Sequence, residues 1–196
     1  MTELQAYLNS IAPIQQETWI RLQKLFSGTT LKKGEYFAKE GEIASKIGFL
    51  SSGVIRAFYR NAAGSEYNKH FFIANSIVGA YSSLITKEPN KINQEALTDC
   101  QLFTADYKDI EKLYGRYQDF ETFGRKLAEA YFVHKEQREV EIVMLDATQR
   151  YLIFQKQFPA LEQLIPQYHI ASYLGITPTQ LSRIRKNTVK NNMLKL

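Results

Sequence analysis

Apolar residues recur at helical spacing over residues 14–26, IQQETWIRLQKLF, where Trp19, Leu22, Leu25 and Phe26 fall on one face. That spacing predicts an amphipathic helix. From residue 28 the rhythm shortens. Alternating runs, KIGFLSSGVIRAFYR, SEYNKHFFI and INQEALTDCQLFTAD, are punctuated by turn signals such as NAAG at 61–64 and KEPN at 87–90. Residues 28–105 hold seven of the ten glycines. Many short strands joined at glycine turns predict a small antiparallel roll or barrel. In VIRAFYR both alternating sets are mixed, so the pattern does not decide which face is buried.

After Tyr107 the pattern turns helical. Residues 107–114 suit a short helix. From Gln118 to Leu145 there is no proline and one glycine, Gly124. Phe120, Phe123, Leu127, Ala130 or Tyr131, and His134 lie at three- and four-residue steps, and Val140, Val143 and Met144 continue a stripe. Such a helix is about 40 Å long, more than a small domain needs. It either pairs two chains across a two-fold axis or packs wholly on its own chain. KEQREVE at 135–141 reads as a solvated, salt-bridged face. Asp146 is placed to N-cap ATQRYLIFQKQF, and Pro159 closes that helix.

The stretch HIASYLGITPTQLSRIRKN, residues 169–187, has the pattern of a helix-turn-helix. Its first helix is predicted over about 167–174. Its second begins with Thr177 as N-cap and Pro178 at the first helical position, where a missing N–H costs nothing. Gly175 supplies the positive φ of the turn. Ala171 is small where two helices cross, and Ile170, Leu174, Ile176, Leu181 and Ile184 fill the space between them. Thr179, Gln180, Ser182, Arg183, Arg185 and Lys186 are left facing outward. Thr179 and Arg183 share a face. An arginine there matches guanine O6 and N7, and Gln180 matches adenine. Ser182, Arg185 and Lys186 suit phosphates, as do the free N–H groups near Gln167–His169.

Charge sharpens this reading. The net charge of +5 is confined to the C-terminal end: residues 165–196 hold Arg183, Arg185, Lys186, Lys190 and Lys195 and no Asp or Glu. The preceding 164 residues carry 20 cations and 20 anions. A neutral body with a basic module points to a polyanion partner for the module alone, here double-stranded DNA. The single cysteine, Cys100, excludes an internal disulfide and suits a reducing cytoplasm. Neither a signal peptide nor a membrane-spanning run is visible, so no membrane partner is expected. Three dispersed histidines, with one in the predicted roll, argue against metal catalysis. No nucleophile triad, P-loop or dinucleotide fingerprint appears. The expectation is a non-enzyme without a metal or cofactor.

In chain order, the roll, the long helix and the terminal helix-turn-helix resemble the cyclic-AMP receptor protein (Crp/Fnr) family of transcription regulators. The roll carries that family's glycine rhythm at Gly34, Gly41, Gly53 and Gly64. ATQRYL at 147–152 resembles its entry into the DNA-binding domain, and IASYLGITPTQLSRIRK its helix-turn-helix. The resemblance implies an α+β chain: an N-terminal antiparallel β-roll, a cyclic-nucleotide-binding-like jelly roll, over 1–117; a dimerisation helix over 118–145; and a C-terminal helix-turn-helix domain of winged-helix-like type over 146–196. It implies a homodimer on a near-palindromic operator, with Thr177, Thr179, Gln180, Ser182, Arg183, Arg185 and Lys186 at the DNA. RNA polymerase and an unidentified small-molecule effector are further partners in this picture.

The chain departs from the family in the effector segment, GAYSSLITKEPNKINQEALTD at 79–99. The family's nucleotide-binding members place a glutamate after the glycine and an arginine beyond it. Here Ala80 holds the glutamate position, and Ile92, Asn93 and Gln94 stand where the arginine is expected. Without a planar fork for phosphate, cyclic AMP is not the expected effector. An effector would meet Gly79, Ala80, Tyr81, Ser82, Ser83, Asn93 and Gln94. The alternative is a constitutive DNA-binding dimer whose roll no longer binds a ligand. Lone histidines such as His70 and His134 read as structural and not as haem ligands, and the cysteines of iron–sulfur members are missing. The C-terminal NTVKNNMLKL has no hairpin pattern, so the family's wing is expected to be reduced or absent.

Overall fold

The computed structural model describes residues 1–193, with side chains through Thr188. Eight strands and nine helices make up the described chain. Two helices open it, α1 (Thr2–Ile11) and α2 (Gln16–Gln23). The strands are β1 (Ser27–Leu31), β2 (Tyr36–Ala38), β3 (Lys46–Ser52), β4 (Ile55–Arg60), β5 (Glu66–Phe72), β6 (Ser76–Val78), β7 (Asn93–Ala96) and β8 (Cys100–Asp106), with helix α3 (Tyr81–Thr86) between β6 and β7. Then come α4 (Tyr107–Glu111), α5 (Gln118–Met144), α6 (Ala147–Gln157), α7 (Leu161–Leu164), α8 (Gln167–Leu174) and α9 (Pro178–Met193).

The strands form two four-stranded sheets, ordered β1-β8-β3-β6 and β2-β7-β4-β5. The β1·β8, β3·β8, β3·β6 and β2·β7 pairings are antiparallel. This is the roll the sequence predicts. The turn from β3 to β4 depends on Gly53, whose φ is +98° and whose missing Cβ would meet Asp99 O and Cys100 Sγ at 2.6 Å.

By contacts the chain divides into two compact units, residues 1–57 with 71–135, and residues 58–70 with 136–196. The first unit holds two cores. Leu50, Ile55, Ala57, Phe72, Val78, Ala96, Cys100 and Leu102 fill the roll. Leu4, Leu8, Trp19, Leu22, Phe49, Ile110, Phe120 and Phe123 join the helices to its outer face. Asp119 of α5 caps the start of α2, accepting from Gln15 N–H (2.8 Å) and Thr18 Oγ1 (2.9 Å). Helix α1 was not predicted; Leu4 and Leu8, one turn apart, bury its face. Helix α2, predicted over residues 14–26, spans only Gln16–Gln23.

Helix α5 divides its apolar stripe. Phe120 and Phe123 are buried in the first unit, where Phe120 stacks on Tyr114. Gly124 leaves room for that tyrosine, since a Cβ there would lie 2.8 Å from its ring. Further along, Phe132 (69 % exposed), Val133, Val140, Val143 (80 %) and Met144 (73 %) project from the helix. At 3.6 residues per turn these five fall within an arc of about 120°. In the second unit, Tyr151, Phe154, Phe158, Tyr173 and Leu181 form the core around α6, α8 and α9.

Candidate nucleic-acid interface

Helix α8 spans the predicted residues and ends as the glycine requires. Gly175 has φ +67°, and the turn is a Schellman motif: Ile176 N–H donates to Ala171 O at 3.0 Å and Gly175 N–H to Ser172 O at 3.2 Å. Helix α9 then starts with a capping box. Gln180 N–H donates to Thr177 Oγ1 (3.2 Å), and Thr177 N–H donates to Gln180 Oε1 (2.9 Å). Of the seven predicted packing residues, Ile170, Ala171, Leu174 and Leu181 are fully buried, while Ile176 and Ile184 are half-buried and Gly175 is exposed in the turn.

Four of the predicted contact residues, Thr179, Ser182, Arg183 and Lys186, are exposed on one face of α9. They span an arc of about 100° at helical spacing. Gln180 lies beside this face with its carboxamide oxygen engaged in the cap. Thr177 is exposed but serves as the cap itself. Arg185 turns the other way, its Nε 3.4 Å from Glu162 Oε1. It therefore lies off the face that carries Arg183. At the start of α8, the expectation of free N–H groups needs correcting at His169, whose N–H donates to Pro166 O (3.1 Å) and whose ring is buried. The predicted 187–196 segment is helical to Met193, and the rest lies outside the described residues.

Contacts the sequence did not announce hold α8 in place. In β5, an edge strand, Glu66 O accepts from Ser172 Oγ (2.9 Å) and Asn68 N–H donates to the same oxygen (3.0 Å). Asn68 Nδ2 donates to His169 O at 2.9 Å. From α5, Arg138 lies 4.1 Å from the Tyr173 ring centroid and pairs with Glu141 at 3.2 Å, both side chains largely buried. The reading of residues 135–141 as a solvated face is thus corrected at Arg138 and Glu141: Tyr173 covers the arginine.

In the effector segment, Gly79, Ala80, Ser83, Asn93 and Gln94 are partly or fully buried, whereas Tyr81 and Ser82 face solvent. Gln94 Nε2 donates to Gly79 O at 3.0 Å. Ser83 Oγ accepts from Ala44 N–H (3.0 Å) and donates to Glu88 O (2.6 Å). Asn93 Oδ1 accepts from Glu40 N–H at 3.0 Å. These donors and acceptors bind their own chain, whereas Gln94 Oε1 is buried with no hydrogen-bond partner among the described residues. A cavity of about 140 Å³ beside them, lined by Phe37, Ala38, Glu42 and Ala44, is small against the roughly 300–1,000 Å³ of ligand pockets. Also in β7, Glu95 accepts from Arg56 Nε (2.8 Å) and Nη2 (2.5 Å), a strand pair the sequence pattern did not reveal. The ring of His70 meets the edge of Phe158 at 5.9 Å. No cluster of three or more His, Cys, Asp or Glu side chains able to hold a metal occurs among the described residues. None of their helices is long and apolar enough to cross a membrane.

Residues 29–117 match the model of the cyclic nucleotide-binding domain. Over most of its length the chain shares its fold with solved structures of transcription regulators. It is similar to FixK2 from Bradyrhizobium japonicum at 17 % identity, covering 85 % of this chain and 86 % of that one with a TM-score of 0.72. The c-di-GMP-responsive global regulator CLP of Xanthomonas campestris matches at 14 % identity over 91 % and 93 % of the two chains, with a TM-score of 0.68. A regulator of the Crp/Fnr family from Eubacterium rectale matches at 14 % identity over 90 % and 85 %, with a TM-score of 0.69. No curated protein matches by sequence. Within the matched segment Ala80 is buried, as are Asn93 and Gln94 of the stretch 92–94.

Proposed function

We propose that the protein is a dimeric, sequence-specific DNA-binding transcription regulator of the Crp/Fnr type. The observation that carries this is the exposed face of α9, where Thr179, Ser182, Arg183 and Lys186 converge on a helix start locked by the Thr177–Gln180 box. A rigid helix with polar and cationic residues on one face and no acid fits the major groove. The second copy is the occupant argued for the exposed stripe of α5. A helix of 27 residues is about 40 Å long, and its apolar arc is self-complementary across a two-fold axis. Paired this way, two α9 helices meet grooves one turn apart, about 34 Å. Contact with RNA polymerase belongs to the same reading.

The effector, where one acts, is not cyclic AMP in this reading. The hydrogen bonds that Ser83 and Asn93 make within the chain and the filled roll favour a second reading as well, a constitutive DNA-binding dimer. A thermal melt with cyclic nucleotides and small metabolites separates the two, because a ligand that binds the folded state raises Tm.

The main reading is tested by sedimentation equilibrium together with a salt titration of binding to duplex DNA. A dimer mass and an affinity that falls steeply with salt support it, since phosphate contacts release counterions. A monomer that ignores duplex at low ionic strength refutes it.

A further inference from the structure

All four terminal carbonyls of α8 are engaged, but by two different means. Ala171 O and Ser172 O accept from the backbone of the turn. Tyr173 O accepts from Arg138 Nη2 at 2.7 Å, and Leu174 O from Arg150 Nη2 at 3.1 Å. These oxygens are the orphan acceptors of a helix end, and cations there also meet the negative end of the helix dipole. The two arginines come from α5 and α6. Arg150 bridges two helix ends at once, because its Nη1 donates to Leu145 O, just past α5, at 2.6 Å. Arg138 lies over the Tyr173 ring while its two Nη groups reach Tyr173 O and Glu141. A planar guanidinium can stack and donate in two directions together; a lysine ammonium cannot.

Tyr173 and Leu174 lie immediately before the turn into α9. The two guanidiniums therefore tie the start of the recognition helix to the part of α5 that carries Val140, Val143 and Met144. We infer that Arg138 and Arg150 are positioning residues that set which half-site separation the dimer accepts. The inference rests on the DNA-binding reading above. Neither residue needs to touch DNA: the Arg138 side chain is only 13 % exposed. Its loss would slacken the angle of α9 against α5 and leave Thr179 and Arg183 able to read the same bases.

The test uses the full chain and a random duplex pool, comparing wild type with Arg138→Met and Arg138→Lys, each first checked for a cooperative melt. Wild type should recover one dominant separation, with a neighbouring separation disfavoured about tenfold or more. Arg138→Met should recover the same half-site sequence with that preference reduced to about threefold or less, and Arg138→Lys should fall between. An unchanged distribution of separations overturns the inference. So does loss of the half-site sequence itself in the variants, which would make the arginine a support of α9 alone. A wild type that enriches nothing brings down the DNA-binding reading and this inference with it, an outcome distinct from both.

Discussion

Ser172 Oγ donates to the Glu66 carbonyl of the edge strand β5 at 2.9 Å while accepting from Asn68 N–H at 3.0 Å. One hydroxyl thus stands in for two ladder bonds of a missing neighbour strand. Ser172→Ala should remove both of these bonds and cost about 1–3 kcal/mol. Denaturant unfolding measures this, and a midpoint equal to wild type would show that water replaces the hydroxyl.

Gly175→Val should strain the left-handed turn. An L side chain at that φ costs about 1–2 kcal/mol, more for a β-branched residue. Space is not the problem, because nothing lies within 4 Å of a Cβ built there. The expected result is a less stable helix-turn-helix with the roll intact, seen by circular dichroism against an isolated roll.

Alkaline pH should weaken the fold. Burial pushes the Tyr114 hydroxyl up to about 12, with Tyr81 and Glu111 adding to it. Burial, then the hydrogen bond to Glu162, does the same for Tyr151, also to about 12. An unfolded tyrosine releases its proton near pH 10, whereas these keep theirs. Between about pH 10 and 12 the unfolded chain binds fewer protons, so stability is full below 10 and falls as pH rises. Denaturant midpoints across this range should decline less steeply in Tyr114→Phe than in wild type.

Arg183→Ala should cost about 1–3 kcal/mol at a selected operator and relax preference at one base pair. Lys186→Ala should weaken binding to all sequences and reduce the salt slope by about 1. Competition assays on single-base operator variants separate the two. Unchanged base preference in the arginine variant would take Arg183 off the bases.

Much of the motif was legible because its signals are local. Thr177, Pro178 and Gly175 act on neighbours within a few residues, so their spacing alone places the cap and the turn, whereas Gln180, read as facing adenine, closes a capping box with Thr177. The strands of the roll were legible from glycine and alternation. What could not be read depends on distant partners. Nothing near Ser172 points to Glu66, 106 residues away. Within KEQREVE no period distinguishes Arg138, which stacks on Tyr173, from charges that stay in water. Arg185 looked equivalent to Lys186 until Glu162 drew it aside. The stripe of α5 read as continuous, whereas Phe120 and Phe123 pack at home beside Tyr114 and only its far end is open.

Sequencing the DNA that the full-length protein retains from a random duplex pool at low ionic strength tests the central claim most directly. The expected result is a near-palindrome whose two half-sites lie about 10 bp apart, centre to centre. Recovered sequences indistinguishable from the starting pool would contradict it.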